Sequence, residues 1–291
     1  MTLPSLAIVT PSFNQAPYLD AALRSVLDQN YPALEYVVMD GGSTDGSAAI
    51  IRGHEARLTS WVSERDGGQY SAVAAGFART KGEILGWLNS DDSYAPWAFS
   101  VVGEIFAQFP EIEWLTTGRP LFWDAAGRAV RCEAVRGYSR AAFFDGEHLP
   151  DDSALGLGCI QQESTFWRRS LWDRAGGFDP EFPLAGDFAL WARLFSHAPL
   201  HAVNVPLGGF RSHGDQKTGR AFADYATEAE RALRKYGGQR RSGAWRVVRE
   251  LAVRAPAACW PALASSGAMH RAKAVNWHPR RGGWTVEELF I

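Results

Sequence analysis

Short apolar runs alternate with amphipathic segments in the first 118 residues of the chain. The runs cover residues 6–10, 34–39, 58–62 and 84–88, and a polar loop follows each of them. Such runs are typical of strands buried on both faces, as in a parallel sheet. Helices are predicted between them, over residues 17–27, 47–57 and 70–80. The alternation predicts a doubly wound, mostly parallel α/β sheet with right-handed crossovers.

The remainder of the chain follows a different pattern. Strands are predicted over residues 112–117, 120–123, 128–135, 163–168 and 200–206, and helices over residues 98–109, 170–175, 187–196 and 222–236. A hairpin turn is predicted at residues 124–127, which indicates a small second sheet with mixed or antiparallel pairing. Residues 139–157 have little periodicity and are predicted to form a loop. We therefore expect a domain over residues 1–220 and a helical C-terminal extension over residues 221–291.

Composition and charge place the chain among soluble globular proteins but reveal an asymmetry. Of the 291 residues, 46% are apolar and 21% are charged, and the net charge is −2. Residues 231–291 carry 12 Lys and Arg against 3 Glu, a charge of +9, so the remainder carries −11. The basic extension suggests an anionic surface as partner rather than nucleic acid. A basic amphipathic helix over residues 241–254 could lie on an anionic membrane, or pack on the acidic body of the protein.

The cysteines and the N-terminus bear on the compartment. Cys132, Cys159 and Cys259 are widely spaced, which argues against a disulfide framework or a structural zinc site. The first residues have no basic, apolar pattern of a signal peptide, and no window of about 20 residues is apolar enough to span a bilayer. We therefore expect a cytoplasmic protein, with a peripheral position at the inner face of the membrane as a hypothesis.

Two adjacent carboxylates, Asp91 and Asp92, directly follow the apolar run at residues 84–88. Ligands of open α/β sheets bind outside the carboxyl ends of strands. Two carboxylates at that place repel each other unless a cation or a proton lies between them. A divalent cation held by carboxylates and by substrate phosphates is one interpretation. The alternative is that both residues cap the helix that follows Pro96.

A glycine-rich loop, Gly41 to Ser47, follows the second strand. It matches neither GxGxxG nor GxxxxGK[ST], so a dinucleotide fold or a P-loop is not supported. A tight turn with a polar cap is the simpler interpretation for its last residues. Asp40, at the end of the strand, could instead accept hydrogen bonds from a base or from a ribose hydroxyl.

Six segments in order give the chain a resemblance to a known family. They are TPSFNQAPYLDAALRSVLDQNYPALEYVVMDGGSTDGS, SERDGGQYSAVAAGF, KGEILGWLNSDDSYAP, QQESTFWRRSLWDRAGGFD, AGDFALWARL and FRSHGDQKT. Together they resemble glycosyltransferase family 2, which has the GT-A fold, over residues 6–218. The resemblance implies transfer of a sugar from a nucleotide donor with inversion, usually with Mn²⁺ or Mg²⁺. It also implies a nucleotide-binding half over about residues 1–118 and an acceptor-side half over about residues 119–220.

The resemblance assigns roles to individual positions. The residues that it implies for binding the nucleotide-sugar are Thr10, Pro11, Phe13, Asn14, Asp40, Ser43, Asp66, Asn89, Ser90 and Asp91. Asp91, Asp92 and His213 are the implied metal ligands, and Asp187 is the implied catalytic base. Gln161 and Trp191 are candidates for contact with the acceptor or the sugar, although buried packing is the alternative for Trp191.

Sugar transfer with inversion at the anomeric carbon requires the same two functions. One base must take the proton of the acceptor hydroxyl, and a Lewis acid must stabilise charge on the leaving diphosphate. Asp187 could supply the first and the Asp91–Asp92 pair could hold the second. The alternatives are an ordinary helix cap for Asp187 and a loop histidine without ligand for His213.

The sequence also departs from the family pattern. Asn89 stands where many relatives have the first acid of Asp-x-Asp, and Ser71 and Ala75 replace a frequent Asp and Asn. The Gln-x-x-Arg-Trp motif of processive synthases is absent, which favours addition of a single sugar. We expect a UDP- or dTDP-linked donor and a glycan or lipid-linked acceptor, in surface polysaccharide or glycoconjugate synthesis. The alternatives are a sugar-nucleotide nucleotidyltransferase and a non-catalytic sugar- or nucleotide-binding module.

Overall fold

The computed structural model describes residues 2–150, 157–214 and 221–291. The strands are β1 (Leu6–Ser12), β2 (Leu34–Asp40), β3 (Ser60–Ser63), β4 (Ile84–Trp87), β5 (Ser93–Tyr94), β6 (Trp114–Thr117), β7 (Leu121–Trp123), β8 (Ala129–Cys132), β9 (Phe166–Arg168), β10 (His201–Val203), β11 (Gly208–Arg211), β12 (Arg271–His278) and β13 (Gly283–Phe290). The helices are α1 (Ala16–Leu27), α2 (Ser47–Gly53), α3 (Gln69–Ala78), α4 (Ala98–Gln108), α5 (Arg140–Phe144), α6 (Arg169–Ala175), α7 (Gly186–His197), α8 (Phe222–Lys235), α9 (Gly243–Val253) and α10 (Trp260–Ser265).

A large, mostly parallel sheet forms the centre of the molecule. Its strands lie in the order β13-β12-β10-β6-β9-β4-β1-β2-β3 within the described residues. β9 pairs antiparallel with both β4 and β6, and β13 pairs antiparallel with β12. Helices cover both faces, because the central strands carry apolar side chains on each side. The predicted doubly wound α/β sheet is confirmed.

The register of the first three strands brings their ends to one line. Ser12 pairs with Asp40, and Asp40 pairs with Ser63. Because all three strands run parallel, the loops that follow them emerge at the same edge of the sheet. β4 joins the other side of β1, which adds the loop with Asp91 and Asp92 to this edge.

A four-stranded second sheet, in the order β5-β11-β7-β8, stands beside this edge. Its pairing is mixed, as expected, and the predicted turn at residues 124–127 joins β7 to β8. β11 was not predicted. It begins with two glycines, which weaken the sequence signal for a strand, and both positions are crowded. A Cβ atom at Gly208 would lie 2.4 Å from the carbonyl oxygen of Glu163, and one at Gly209 would lie 2.4 Å from Trp123 Nε1.

The C-terminal region corrects the prediction of a helical extension. Helices α8 to α10 form, but residues 271–290 form the β12–β13 hairpin, and β12 extends the main sheet by pairing parallel with β10. The buried side chains of Ala272, Ala274 and Val275 tie this strand to the core. The predicted boundary at residue 220 lies outside the described residues. The predicted loop over residues 139–157 is also corrected in part, since α5 forms and Phe143 stacks on Phe188 at 4.7 Å.

Helix α9 packs with part of its charge inward. Arg246 and Arg249 are buried, and the Nη2 of Arg249 lies 3.4 Å from the carboxylate of Glu147. Val248 and Leu251, by contrast, are 44% and 61% exposed. The structure therefore favours the alternative in which this helix packs on the protein through its own charges.

Trp191 belongs to the core, which corrects its candidacy as a sugar-binding residue. Its side chain is 2% exposed. The indole stacks between Trp87 and Trp114, with ring centroids 5.9 Å away on each side. The cause is the position of Trp191 on the inner face of α7, which lies against the main sheet.

We predict that Trp191→Ala lowers the free energy of unfolding by about 3–5 kcal/mol, because it opens a cavity between two stacked indoles. Urea denaturation followed by circular dichroism measures this loss. The matched control is Trp277→Ala, at a tryptophan that is 49% exposed, where the loss should be smaller. Equal losses for the two variants would contradict the assignment of Trp191 to the core.

Candidate active site

A cleft of about 1800 Å³ opens at the carboxyl edge of the main sheet. The loops after β1, β3 and β4 form one wall, and the second sheet and α7 form the other. Carboxylates from several segments line the cleft, among them Asp66, Asp91, Glu163 and Asp187. The two acids on which the predicted chemistry depends, Asp91 and Asp187, therefore share one cleft although they are far apart in the sequence.

The predicted nucleotide-binding residues divide into two groups. Pro11, Phe13, Asp66, Asn89, Ser90 and Asp91 line the cleft. Phe13 is 55% exposed, so an apolar ring faces the cavity. Gly41 leaves room beside it, since a Cβ atom there would lie 3.3 Å from the Phe13 ring and 3.1 Å from Asp66 Oδ2.

The second group, Thr10, Asn14, Asp40 and Ser43, is not among the residues that line the cleft. Asp40 Oδ2 accepts hydrogen bonds from Ser63 Oγ at 2.6 Å and from Ser43 N at 3.0 Å. Asn14 N donates to Ser43 Oγ at 2.8 Å. Thr10 is fully buried, and its hydroxyl bonds to the hydroxyl of Tyr36 at 2.8 Å. In this structure Thr10 thus links strands β1 and β2, and Asn14, Asp40 and Ser43 connect the ends of β1, β2 and β3 to one another.

Asp91 and His213 come together across the two sheets. The Nε2 of His213 lies 3.0 Å from Asp91 Oδ2, and the imidazole stacks on Tyr18 at 4.3 Å. β11 places His213 at this contact, because the strand ends two residues before it. Arg211, at the end of β11, donates from Nε to the carbonyl oxygen of Asp91 at 2.5 Å and fixes the loop.

Asp92 is among the residues that line the cleft, but it is nearly enclosed, and its role as a metal ligand stays a prediction. It is 1% exposed, and its Oδ1 accepts the backbone N–H of Arg211 at 2.8 Å. Burial, together with the charges of Glu163 and Asp91, raises the pKa of Asp92 well above its usual range. A carboxyl group in this environment favours its protonated form and contributes to the structure of the loop.

Asp91 and His213 fit a site in which groups of the substrate complete the coordination of a divalent cation. Within the described residues, no group of three or more His, Cys, Asp or Glu side chains is arranged to hold a metal ion. Asp91 lines the cleft, and the imidazole of His213, which is buried and not among the lining residues, contacts its carboxylate. Mg²⁺ and similar ions commonly combine one or two protein ligands with phosphates and water, so the pair is compatible with a metal–diphosphate complex.

Asp187 lies in the first turn of α7, and three donors surround its carboxylate. Oδ1 accepts the N–H of Phe188 at 2.8 Å, and the hydroxyl of Tyr225 lies 3.1 Å from both carboxylate oxygens. The hydroxyl of Tyr70 lies 3.3 Å from Oδ1. Burial raises the pKa of Asp187, and these hydrogen bonds lower it again in part. The alternative of a helix cap is not what the structure has, since Ala185 holds the cap position.

Comparison with known proteins identifies the family. Residues 7–115 match the sequence model of glycosyl transferase family 2. An uncharacterized glycosyltransferase of Mycobacterium tuberculosis is 31% identical over 200 residues, which are 66% of this chain and 70% of the relative. The chain belongs to glycosyltransferase family 2. A second family member, an uncharacterized glycosyltransferase of Rickettsia typhi, is 34% identical over 75% of this chain and 67% of its own length.

Solved structures agree on the fold. Residues 1–349 of S. aureus TarS, in complex with UDP-GlcNAc, align with a TM-score of 0.60 and 16% identity over 86% of this chain and 71% of that one. The mannosyltransferase PcManGT of Pyrobaculum calidifontis, in complex with GDP-Man and Mn²⁺, aligns with a TM-score of 0.52 and 17% identity over 92% of this chain and 80% of that one. The GT-A fold expected from the sequence is confirmed.

The structure explains why an amide suits position 89, where Asn89 departs from the family pattern. Its amide oxygen accepts from Gln69 Nε2 at 2.8 Å, and its amide nitrogen donates to Gln162 Oε1 at 3.1 Å and to Asp92 Oδ2 at 3.3 Å. An aspartate could only accept, and it would add a charge beside Asp92. The amide therefore lets two neighbouring acceptors be satisfied in a site already crowded with acids.

Gln161 and Glu163 lie on the predicted acceptor side of the cleft. Both ends of the Gln161 amide bind the chain itself, since Nε2 donates to the Leu121 carbonyl at 2.8 Å and Oε1 accepts from the Ser164 hydroxyl at 3.0 Å. Glu163 was not predicted as a site residue, yet it lines the cleft and is 3% exposed. Its Oε1 has no hydrogen-bond partner among the described residues. The available signal was a carboxylate at the head of the predicted strand over residues 163–168.

We predict that Glu163→Gln weakens the pH dependence of stability. Burial raises the pKa of Glu163 from 4.5 to about 8, so the folded protein holds this proton more tightly than the unfolded chain does. Stability should therefore fall as the pH rises through that window. Glutamine stays neutral, so the free energy of unfolding should fall less between pH 5 and pH 8 than in the wild type.

Urea denaturation with EDTA present measures this difference. The control is Glu64→Gln, the same change at an exposed position, which should follow the wild-type curve. Identical slopes for Glu163→Gln and the wild type would show that Glu163 is not held in its neutral form.

Proposed function

We propose that this family 2 enzyme transfers one sugar from a nucleoside diphosphate donor to a hydroxyl group, with inversion at the anomeric carbon. The observation that carries the proposal is the shared cleft of Asp91 and Asp187, which come from different elements and carry different hydrogen-bond environments. A diphosphate-binding acid on one wall and a base on the other leave the space between them for the reacting carbon.

The donor would lie along the edge of the main sheet. Phe13 offers an exposed ring for the nucleotide base, and Asp66 offers a carboxylate for a ribose hydroxyl or a base N–H. The UDP-GlcNAc complex of TarS and the GDP-Man complex of PcManGT, which share the fold, support a nucleotide-sugar ligand. We retain UDP or dTDP as the nucleotide of the donor.

Asp91 and His213 would hold the Mn²⁺ or Mg²⁺ ion against the diphosphate. When bound, such an ion neutralises charge that develops on the leaving diphosphate. Asp92 supports Asp91 by fixing the loop through Arg211. The Mn²⁺ in the PcManGT complex is consistent with this role.

Asp187 would accept the proton of the acceptor hydroxyl while its oxygen attacks the anomeric carbon from the face opposite the diphosphate. A raised pKa makes a carboxylate a stronger base, and burial raises that of Asp187. The same face of the cleft carries Leu184 and Phe222, which are 40% and 39% exposed. Exposed apolar side chains beside a base suit a glycan ring or a lipid-linked acceptor better than a free small sugar.

We further propose a cytoplasmic enzyme that contacts an anionic membrane through α9. Val247, Val248 and Leu251 point outward, and the exposed Arg241 and Arg254 stand at the two ends of the helix. Apolar residues flanked by arginine match the boundary between headgroups and acyl chains of an anionic bilayer. Among the described residues, no helix has the length and hydrophobicity to cross a bilayer.

We expect Asp187→Asn and Asp91→Asn to fail in different ways. Asp187→Asn should lower transfer by about 10²–10⁴-fold and keep Mn²⁺-dependent binding of UDP or dTDP, because only proton transfer is lost. Asp91→Asn should lose the Mn²⁺-dependent part of that binding. Isothermal titration with UDP and dTDP, with and without Mn²⁺, and nucleotide release from sugar nucleotides measure the two effects.

The control for both variants is Asp173→Asn, at an exposed carboxylate on the rim of the same cleft. It should behave as the wild type. Normal turnover by Asp187→Asn would remove the base assignment. Nucleotide binding without turnover by the wild type, over a panel of donors and acceptors, would favour the alternative of a binding module.

We predict that Leu251→Glu weakens binding to vesicles of phosphatidylglycerol and phosphatidylcholine, since it places a negative charge on the outward face of α9. Cosedimentation should show binding of the wild type to these vesicles and little binding to phosphatidylcholine alone. The control is Val130→Glu, the same type of change at a valine that is 62% exposed on β8. Equal sedimentation of both variants and the wild type would exclude α9 as the membrane contact.

A further inference from the structure

Helix α8 lies beyond the segments that carry the family resemblance, yet it reaches the candidate base. The family match ends at residue 115, and the last resembling segment ends at residue 218. Two side chains of α8, Tyr225 and Glu228, bind the segment 184–187. We propose that Tyr225 and Glu228 are positioning residues, which hold Asp187 in the orientation that accepts a proton from the acceptor. The proposal rests on the function proposed above.

Tyr225 sets the orientation of the Asp187 carboxylate. Its hydroxyl lies 3.1 Å from both carboxylate oxygens. Burial keeps the pKa of Tyr225 well above its usual range, so the hydroxyl stays protonated and donates. Tyr70 is the weaker partner of Asp187, because its hydroxyl donates at 2.9 Å to the Leu184 carbonyl and lies 3.3 Å from Asp187. Tyr225 is therefore the main side-chain donor that aligns the base.

Glu228 holds the backbone that leads into α7. Its Oε2 accepts the N–H of Leu184 at 2.7 Å and the N–H of Ala185 at 2.6 Å. The cap residue Ala185 has no side chain that could serve as a cap, so a carboxylate from another helix takes up backbone donors at this helix start. Asp187 follows two residues later, and its position depends on this attachment.

The far end of α8 is fastened to the same loop. Lys235 Nζ and the hydroxyl of Tyr236 both donate to Asp179 Oδ2 at 2.6 Å. α8 thus spans the loop from residue 179 to residue 187, and it is held by polar contacts at both ends. Only Tyr225, in the first turn of α8, reaches the carboxylate of Asp187. Tyr236, the residue directly after α8, is therefore a matched tyrosine at the other end of the helix.

The test compares Tyr225→Phe with Tyr236→Phe. Removing the Tyr225 hydroxyl takes a donor from the carboxylate, which raises the pKa of Asp187 and loosens its orientation. We expect kcat to fall about tenfold or more, KM for the donor to change less than about twofold, and the acidic limb of the pH–rate profile to move to higher pH. Tyr236→Phe removes a hydroxyl from the same helix and should leave that profile unchanged.

Glu228 is tested by two substitutions. Glu228→Ala should lower kcat, whereas Glu228→Gln keeps one acceptor oxygen for the backbone N–H groups and should recover part of the rate. The assay is release of nucleoside diphosphate from UDP-glucose, UDP-GlcNAc, dTDP-glucose and GDP-mannose with Mn²⁺. If Tyr225→Phe kept the pH profile and the kcat of the wild type, the proposal would be overturned.

A second measurement separates this proposal from the proposed function. Urea denaturation over pH 4–8 is recorded for the wild type, Tyr225→Phe, Asp187→Asn and the double variant. Coupling between the two substitutions that depends on pH supports the link, and additive effects at every pH reject it. If the wild-type protein turned over none of the four donors but showed this coupling, the proposed function would be rejected. The contact between Tyr225 and Asp187 would still stand.

Discussion

Parallel pairing of β1 with β2 and β4, and of β2 with β3, is the constraint on which the cleft depends. Ser12, Asp40 and Ser63 lie in one register, so the loops that follow these strands start from a common line. The hydrogen bonds of Asp40 to Ser43 and Ser63 then fix the loops to each other. The wall that Phe13, Asp66 and Asp91 present to the cleft is a consequence of this register.

Crowding of negative charge is the second constraint, and the structure meets it in several ways. Asp92 is buried and favours its protonated form, and the Asn89 amide donates to it. Glu163 is also held towards the neutral form. Asp91 lies against His213, and the tyrosine hydroxyls surround Asp187. Each acid thus has its own environment, so Asp92 and Glu163 are held towards the neutral form while Asp91 and Asp187 each have polar partners at the cleft.

The C-terminal residues are part of the domain and not an appendage to it. β12 continues the main sheet, α9 buries Arg249 beside Glu147, and α8 supports the loop before Asp187. A charge of +9 in the sequence suggested a surface that faces outward. Folding turns part of that charge inward, because the buried Glu147 needs a cationic partner.

Local pattern predicted the strands and helices of the first half and the edge at which the loops meet, because apolar runs and polar strand ends can be recognised without long-range contacts. The roles of Asp91 and Asp187 came from the resemblance to the family and stay predictions. Tertiary structure alone decided that Asp92 is buried, that Trp191 is enclosed by indoles, and that Glu163 enters the cleft. It also decided the strand at Gly208 and the hairpin at residues 271–290, whose stability comes from partners distant in sequence. Propensity and periodicity report on neighbours within one turn or one strand, whereas these features depend on packing between elements that no local pattern records.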